Sequence, residues 1–171
     1  MGDFIDEIIR RETGGDPNGG YTNDPLDPGG RTIWGISERA NPDLWVNGPP
    51  TYEQARGRYI QRYLLPFDGI TNTKLLHQLA DWGVTSGPKT VIRYLQQLVG
   101  AATDGKIGRE TLAKVNGYPD GHLFGHPVPG YVLLNLAVRD ARTLFYATIT
   151  KKKPSQLKWI LGWLKRTFEF K

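Results

Sequence analysis

The stretch from Thr13 to Gly30 most constrains the fold, because its composition excludes both a regular helix and a long strand. It reads TGGDPNGGYTNDPLDPGG, with six glycines and three prolines. Proline lacks the amide hydrogen that a helix interior or a central strand requires, and glycine favours turns. Tyr21, Asn23, Asp24 and Asp27 lie within it, which predicts a structured loop or hairpin rather than a linker.

Helical periodicity surrounds this loop. Residues Asp3–Glu12 place Phe4, Ile5, Ile8 and Ile9 on one face, with Asp3 as N-cap or first-turn acid. Thr32–Ile36 is expected to be a short strand or buried turn. Further helices are predicted from Thr51 and over residues 74–82, 89–99, 109–115, 132–150 and 155–168, with a loop over 122–130. These patterns predict a mainly α, single compact domain of 171 residues with a short β-hairpin or irregular loop near the N-terminus.

Composition excludes several function classes. The chain has no cysteine, so disulfides, thiolate catalysis and sulfur-ligated metals are excluded. No apolar run is long enough to span a bilayer as a helix. The opening MGDFIDEIIRRE is acidic and amphipathic and does not resemble a secretory leader. We therefore expect synthesis in the cytoplasm without a signal peptide.

The net charge of +5 is concentrated at one end of the chain. Residues Lys151 to Lys171 include seven basic residues and one acidic residue, which leaves −1 for residues 1–150. A general nucleic-acid binder spreads its basic residues over a docking face, so nucleic acid is not expected as a partner. The pattern fits local attraction to an acidic polymer or an anionic membrane surface.

Glu12 is the strongest candidate for chemistry. It follows Ile9 by three residues and Ile8 by four, so it extends the apolar face of the first helix. A helix C-terminus disfavours negative charge, and partial burial would act in the same direction, so both favour the protonated carboxyl. A protonated carboxyl is the proton donor that a glycosidic leaving group requires. The alternative is an ion pair between Glu12 and a neighbouring arginine at a frayed helix end.

A second catalytic group is expected in the following loop. Glycosidases need a second carboxylate or a positioned water on the other face of the sugar. Asp24 and Asp27 lie in a loop that can fold back beside the helix end, and the Thr32 hydroxyl is placed to hold a water. The alternative for both aspartates is turn formation, since Asn-Asp-Pro and Asp-Pro-Gly-Gly are good turn sequences.

The segment RETGG…GGYTNDPLDPGGRTIWGIS resembles the signature of glycoside hydrolase family 108, lysozyme-like N-acetylmuramidases common as phage endolysins. One departure is that Glu12 and Tyr21 are separated by TGGDPNGG rather than by two glycines. The assignment of Glu12 depends on the chain tolerating this insertion. The matching residues are Tyr21, Asn23, Asp24, Pro25, Asp27, Pro28, Gly29, Gly30, Thr32, Gly35 and Ile36.

The resemblance implies a lysozyme-like fold that cuts the β-1,4 bond between N-acetylmuramic acid and N-acetylglucosamine. It implies that Glu12 is the catalytic acid, and it makes Asp27 and Thr32 candidates to stabilise the transition state or hold the water. Holin-assisted release to the cell wall would follow from an endolysin role. Residues expected to line the sugar cleft, because rings and amides suit N-acetyl sugars, are Tyr21, Asn23, Asp24 and Trp34.

The resemblance continues downstream. TYEQARGRYIQRYLLPFDGI is similar to a helix of the family, and LADWGVTSGPKTVIRYLQQLVGAATDGKIGRETLAKV resembles a peptidoglycan-binding type 3 region. It divides the domain into a catalytic-motif half, 1–70, and a helical half, 71–171, with peptidoglycan as partner. Asp81 and Ser86 would then contact substrate, although Ser86 is equally placed to cap a helix.

The C-terminal segment supports two interpretations. Lys151, Lys152, Lys153 and Lys158 suggest contact with an anionic outer-membrane or lipid surface. The alternative, which the closing LGWLKR favours by its resemblance to the family, is a final helix that packs Trp163 into the core. Both can hold at once.

The sequence also contains two histidines at a spacing seen in metal sites. His122 and His126 have a spacing that can chelate zinc on a helix, but Gly125 and Pro127 argue against a helix there, so no metal and no cofactor is expected. We expect a monomer. A lytic transglycosylase on the same bond and a non-catalytic peptidoglycan-binding protein remain as alternative functions.

Overall fold

The computed structural model describes residues 2–24 and 29–169, and only the backbone of Gly2 and Asp3. The predicted cap at Asp3 and the candidate Asp27 therefore lie outside what is described. The chain divides into two compact units, residues 1–62 and 63–171, close to the 70/71 boundary expected between the halves. None of the helices in the described ranges has the length and apolar character needed to cross a lipid bilayer.

The first unit contains two helices and a small hairpin. Helix α1 spans Gly2–Glu12, strand β1 spans Thr32–Ile33 and pairs antiparallel with β2, Ile36–Ser37. A 3-10 turn covers Pro42–Leu44, and helix α2 spans Tyr52–Tyr59. Helix α2 begins where the sequence predicts, because Thr51 and Gln54 form a reciprocal capping box that satisfies two free backbone amides.

Helices α1 and α2 supply much of the core of this unit. Ile5, Ile8 and Ile9 are buried, as their spacing predicts, and α2 contributes the buried Ala55 and Tyr59. The two helices are also joined by polar groups, since Asp6 accepts hydrogen bonds from the Tyr52 hydroxyl at 2.6 Å and from the Arg56 guanidinium at 2.9 Å. Helix α1 is thus held against α2 by both apolar packing and side-chain hydrogen bonds.

The second unit is helical apart from one hairpin. A π-helical turn, Ile60–Leu64, and a 3-10 turn, Leu65–Phe67, lead into it. Helices α3 (Thr73–Ser86) and α4 (Pro88–Val99) are followed by α5 (Arg109–Asn116). Strands β3 (Gly121–Leu123) and β4 (His126–Val128) precede the long α6 (Gly130–Lys152). A 3-10 helix, Pro154–Trp159, and α7 (Ile160–Phe168) complete it.

Aromatic rings from four helices, α3, α4, α6 and α7, pack together in the second unit. Trp82 of α3 is fully buried and lies 5.4 Å from the ring of Tyr94 and 5.8 Å from that of Phe145. Tyr146 of α6 stacks on Trp163 of α7, with ring centroids 4.8 Å apart and an interplanar angle of 23°. The prediction that Trp163 packs the final helix onto the fold is therefore correct.

Two segments differ from the sequence prediction. Residues 122–130 were expected to form a loop, but residues 121–128 form a hairpin whose turn, Phe124-Gly125, has positive φ at both positions. The segment 155–168, predicted as one helix, is divided at Trp159 into a 3-10 helix and α7. Proline at position 154 favours the tighter first turn, since it fixes φ and donates no hydrogen bond.

Candidate active site

Glu12 is the last residue of α1, as the periodicity predicts. Its side chain is exposed, however, so the expectation of partial burial is wrong. The reason is that the helix stops here: the Thr13 amide still bonds back to Ile9, but the Gly15 amide already bonds to Arg10 and turns the chain away.

The tip of the β1–β2 hairpin packs against Glu12. The tip is Trp34-Gly35, and both residues have positive φ (54° and 71°), as a type I′ turn requires. A β-carbon added to Gly35 would stand 3.2 Å from the Glu12 β-carbon and would overlap the Tyr59 hydroxyl. Only glycine therefore fits where the hairpin meets α1 and α2.

Trp34 is held in a backbone conformation that bulky residues rarely adopt. Its amide donates to the Gly19 carbonyl at 2.7 Å, and a β-carbon on Gly19 would come within 2.6 Å of its ring. The Tyr52 ring meets it edge-on, with centroids 5.2 Å apart. Such strain persists only where the surroundings fix it, and it concentrates at functional sites.

The glycine-rich loop returns alongside the hairpin. The backbones of Thr22 and Thr32 exchange hydrogen bonds of 2.9 and 3.0 Å, so Tyr21 and Asn23 flank β1. Tyr21 is 49% exposed, and Asn23 and Asp24 are also exposed. The bridge therefore brings Tyr21 and Asn23 beside the hairpin, and the side chains of Tyr21, Asn23 and Asp24 are accessible to a ligand.

The predicted water-holding residue, Thr32, lies in β1. Its hydroxyl is 3.4 Å from the Gly30 carbonyl, a long hydrogen bond that leaves the oxygen able to accept another. Next to it, Arg31 and Glu38 form a pair with contacts of 2.6 and 2.8 Å. This pair holds the pKa of the Glu38 carboxyl below its usual value.

A pocket of about 400 Å³ lies beside the end of α1. Thr13, the residue after Glu12, lines it together with Asp6, Asp16, Trp34 and Tyr52. Aromatic rings beside carboxylates can bind the faces and the hydroxyls of a sugar. The pKa of Tyr52 is raised to about 12, mainly because burial disfavours its anion and also because it donates to Asp6.

Two arginines of α1 form ion pairs with Glu7. Arg10 and Arg11 both donate to its carboxylate, at 2.8 to 2.9 Å. The hydrogen bonds from these two arginines lower the pKa of Glu7 to about 2. Both arginines that precede Glu12 are therefore engaged by Glu7, which carries a negative charge over the whole physiological range.

Asp81 does not have the predicted role of a substrate contact. Its side chain is fully buried in the second unit, where it accepts from Arg142 at 2.8 Å and from Arg166 at 2.7 Å. Ser86 is the last residue of α3, and Gly87 takes the cap positions of α3 and α4. The Ser86 hydroxyl lies 3.4 Å from that of Thr85, so the alternative that Ser86 caps a helix is wrong, and its contact with substrate stays a prediction.

The remaining candidates are exposed. His122 and His126 lie in β3 and β4, and Lys151, Lys152, Lys153 and Lys158 are all accessible to solvent. Residues 2–24 and 29–169 contain no cluster of three or more side chains suited to holding a metal ion.

Two residues at the site were not singled out from the sequence. Tyr52 and Tyr59 lie in a segment that the sequence indicated only as helical. The available signal was weak: tyrosine recurs through YEQARGRYIQRY, and only the fold shows that Tyr52 meets Trp34 and that Tyr59 meets Gly35.

Comparison with known proteins supports the resemblance stated above. Residues 5–87 match the family model described as Glycosyl hydrolase 108, and residues 90–168 match the one described as Predicted Peptidoglycan domain. The solved structure entitled "Structure of Brucella abortus SagA" is similar to this chain with a TM-score of 0.69 and 22% identity. The match covers 99% of this chain and 92% of that one. No curated protein matches.

The mainly helical, lysozyme-like fold predicted from the sequence is thereby confirmed. The family match identifies the protein as a lysozyme-type glycoside hydrolase that acts on peptidoglycan in the cell wall. Residues 5–87 are thus similar to the glycosyl hydrolase 108 family, and residues 90–168 are similar to the peptidoglycan domain of the second model. The first region extends past Arg62 to the end of α3, so it includes part of the second compact unit.

Proposed function

We propose that this protein hydrolyses the β-1,4 bond between N-acetylmuramic acid and N-acetylglucosamine, with Glu12 as general acid. One observation supports this most directly. Glu12 stands at the end of α1, its β-carbon lies next to the hairpin tip at Gly35, and the residue is exposed to solvent. A glycan strand can therefore reach its carboxyl without any opening of the fold.

The proposed chemistry divides among a few side chains. Glu12 protonates the glycosidic oxygen as the bond breaks, and positive charge develops on the sugar ring. Asp27 stabilises that charge or activates water, and Thr32 orients the water. Tyr21, Asn23, Asp24 and Trp34 hold the N-acetyl sugars, a role that fits the exposure of the first three.

Replacing Glu12 by Gln tests the assignment. Glutamine keeps the shape but supplies no proton, so turnover of purified peptidoglycan should fall by roughly 10²–10⁴-fold while the variant still sediments with the wall. Glu53→Gln is the matched control, since Glu53 is an exposed glutamate in the same unit. A Glu12→Gln enzyme as active as its parent would show that Glu12 is not the acid.

The reaction products distinguish hydrolysis from transglycosylation. Hydrolysis leaves a reducing N-acetylmuramic acid end, whereas a lytic transglycosylase uses no water and leaves an anhydro end. We expect reducing ends only, measured by mass spectrometry of digested wall. Anhydro ends would favour the transglycosylase, and binding to the wall without either product would favour the non-catalytic protein.

We further propose a phage-type endolysin role, made in the cytoplasm and released by a holin. It rests on the resemblance of the first motif to that family. Cells producing the protein should keep a constant turbidity until the inner membrane is permeabilised, and then lyse within minutes. Lysis at the same rate without permeabilisation would contradict the holin requirement.

A further inference from the structure

A basic and apolar surface lies at the C-terminal end of the second unit. It consists of Lys151–Lys153, Leu157, Lys158, Trp159 and Leu161, and we call it the C-terminal surface. Leu157, Trp159 and Leu161 are 55%, 53% and 79% exposed, and the four lysines are exposed as well. Apolar side chains this open, surrounded by one sign of charge, are typical of an interaction site.

The fold itself does not need this surface. Trp163, four residues after Trp159, stacks on Tyr146 and attaches α7 to α6. Trp159 instead points outward with the Lys158 ammonium 5.0 Å from its ring centre. The two tryptophans of this segment therefore have different roles: one packs the helix, and the other is presented to solvent beside a cation.

Among the residues that the structure describes, none neutralises the charges of this surface. In the described part of the chain, no carboxylate lies within ion-pair distance of Lys151, Lys152, Lys153 or Lys158. Lys165 lies one helical turn beyond Leu161 and is also exposed, so it extends the same side of α7. The surface thus combines a strong positive potential with open apolar side chains.

We propose that the C-terminal surface docks the enzyme on an anionic phospholipid bilayer. The lysines are attracted to the negative headgroups, and Trp159 with the two leucines enters the boundary between headgroups and acyl chains. Leucines gain nothing from contact with a hydrated glycan or with nucleic acid, which is why a lipid surface fits better than another acidic polymer. This proposal does not depend on Glu12 or on the bond that is cut.

Vesicle binding by the full chain tests it. We expect the protein to sediment with vesicles of phosphatidylglycerol and phosphatidylcholine, but not with phosphatidylcholine alone, and to be released as salt rises. Changing Lys151, Lys152 and Lys153 together to Gln should weaken binding roughly tenfold to a hundredfold. Trp159→Ser with Leu161→Ser should also weaken it, because the inserted apolar area is lost.

The matched control removes the same charge elsewhere on the second unit. Lys89, Lys106 and Arg109 are exposed, so changing all three to Gln lowers the net charge equally. This control should bind vesicles nearly as well as the parent. All variants should hydrolyse dispersed peptidoglycan at the parental rate, which also shows that they are folded.

Several results would overturn the proposal. Equal binding to both kinds of vesicle would exclude recognition of anionic lipid. If the control variant lost as much binding as the Lys151–Lys153 variant, net charge alone would explain the effect. Binding to lipopolysaccharide or purified wall but not to these vesicles would assign the surface to another polymer. A dimer that the Trp159→Ser, Leu161→Ser variant abolishes would assign it to a second copy of the chain.

Discussion

At Gly35 the chain requires both an unusual backbone and an empty side-chain position. Its φ of 71° favours glycine, and a β-carbon there would meet Glu12 and Tyr59. Trp34 accepts a positive φ without being glycine, at a cost of about 1–3 kcal/mol. The backbone of the hairpin tip therefore lowers the stability of the fold, but it allows the tip to lie close to Glu12 and Tyr59.

With Glu12 as the proposed acid, Gly35→Ala should displace it and lower turnover about a hundredfold, since a small misplacement of a catalytic group has that effect. The free energy of unfolding should fall by about 1 kcal/mol for the backbone and by a further 1–3 kcal/mol for the overlap. Turnover and urea denaturation measure the two effects.

Gly100→Ala is the control for this substitution. Gly100 has a similar φ of 66° with no atom within 4 Å of its added β-carbon. Only the backbone cost is expected there, and no loss of turnover. If the Gly35→Ala and Gly100→Ala variants had equal turnover, Gly35 would not be needed to position Glu12.

Among the elements, α1 carries a pH dependence that follows from Glu7. The pKa of this carboxyl is about 2 in the folded protein and about 4.5 when it is free of the arginines. The unfolded chain therefore binds more protons between these values, so stability rises with pH across the window and is lost as pH falls from about 4.5 towards 2. Glu38, Asp104 and Glu110 have lowered pKa values and act in the same direction.

Glu7→Gln should lower the free energy of unfolding at pH 7 by roughly 0.5–1 kcal/mol, a modest amount because the pair is partly exposed. The difference from the parent should shrink as the pH approaches 2. Urea denaturation from pH 3 to pH 7 measures it, with Glu53→Gln as the unpaired control. A difference that stays constant with pH would mean that the Arg10 and Arg11 bonds do not set the pKa of Glu7.

Asp81 joins three helices, α3 through its own backbone and α6 and α7 through Arg142 and Arg166. Asp81→Asn would leave a buried guanidinium without its counter-charge, so we expect a loss of about 3–5 kcal/mol in the free energy of unfolding. Asp140→Asn, at an exposed pair with Arg139, should cost less than about 1 kcal/mol. If Asp81→Asn instead raised KM at unchanged stability, Asp81 would be a substrate contact after all.

At the scale of the whole molecule, local patterns were readable from the sequence and long-range partners were not. The helices follow from periodicity and from caps such as Thr51 and Gln54. Arg142 and Arg166 lie 61 and 85 residues after Asp81 in the chain, and no local sequence pattern predicts that they bind it. The exposure of Glu12 was missed because it depends on the path of the inserted loop. The second hairpin was missed because Pro127 disfavours a strand in general, although an edge position tolerates it.

The C-terminal surface predicts a difference between substrates. Changing Lys151, Lys152 and Lys153 to Gln should reduce lysis of whole cells more than digestion of purified wall, because only whole cells present lipid next to the wall. Parallel turbidity assays on the two substrates measure this. If activity fell equally on whole cells and on purified wall, these lysines would have no role at a membrane.

The openness of Glu12 has a consequence for where along a strand the first cut falls. A carboxyl at the bottom of a blind pit would admit only a chain terminus, whereas one exposed at the end of a helix imposes no such requirement. With Glu12 as the acid, long strands anchored at both ends by crosslinks would be severed at internal positions. The mesh would lose mechanical strength after few scissions, well before small fragments accumulate in solution.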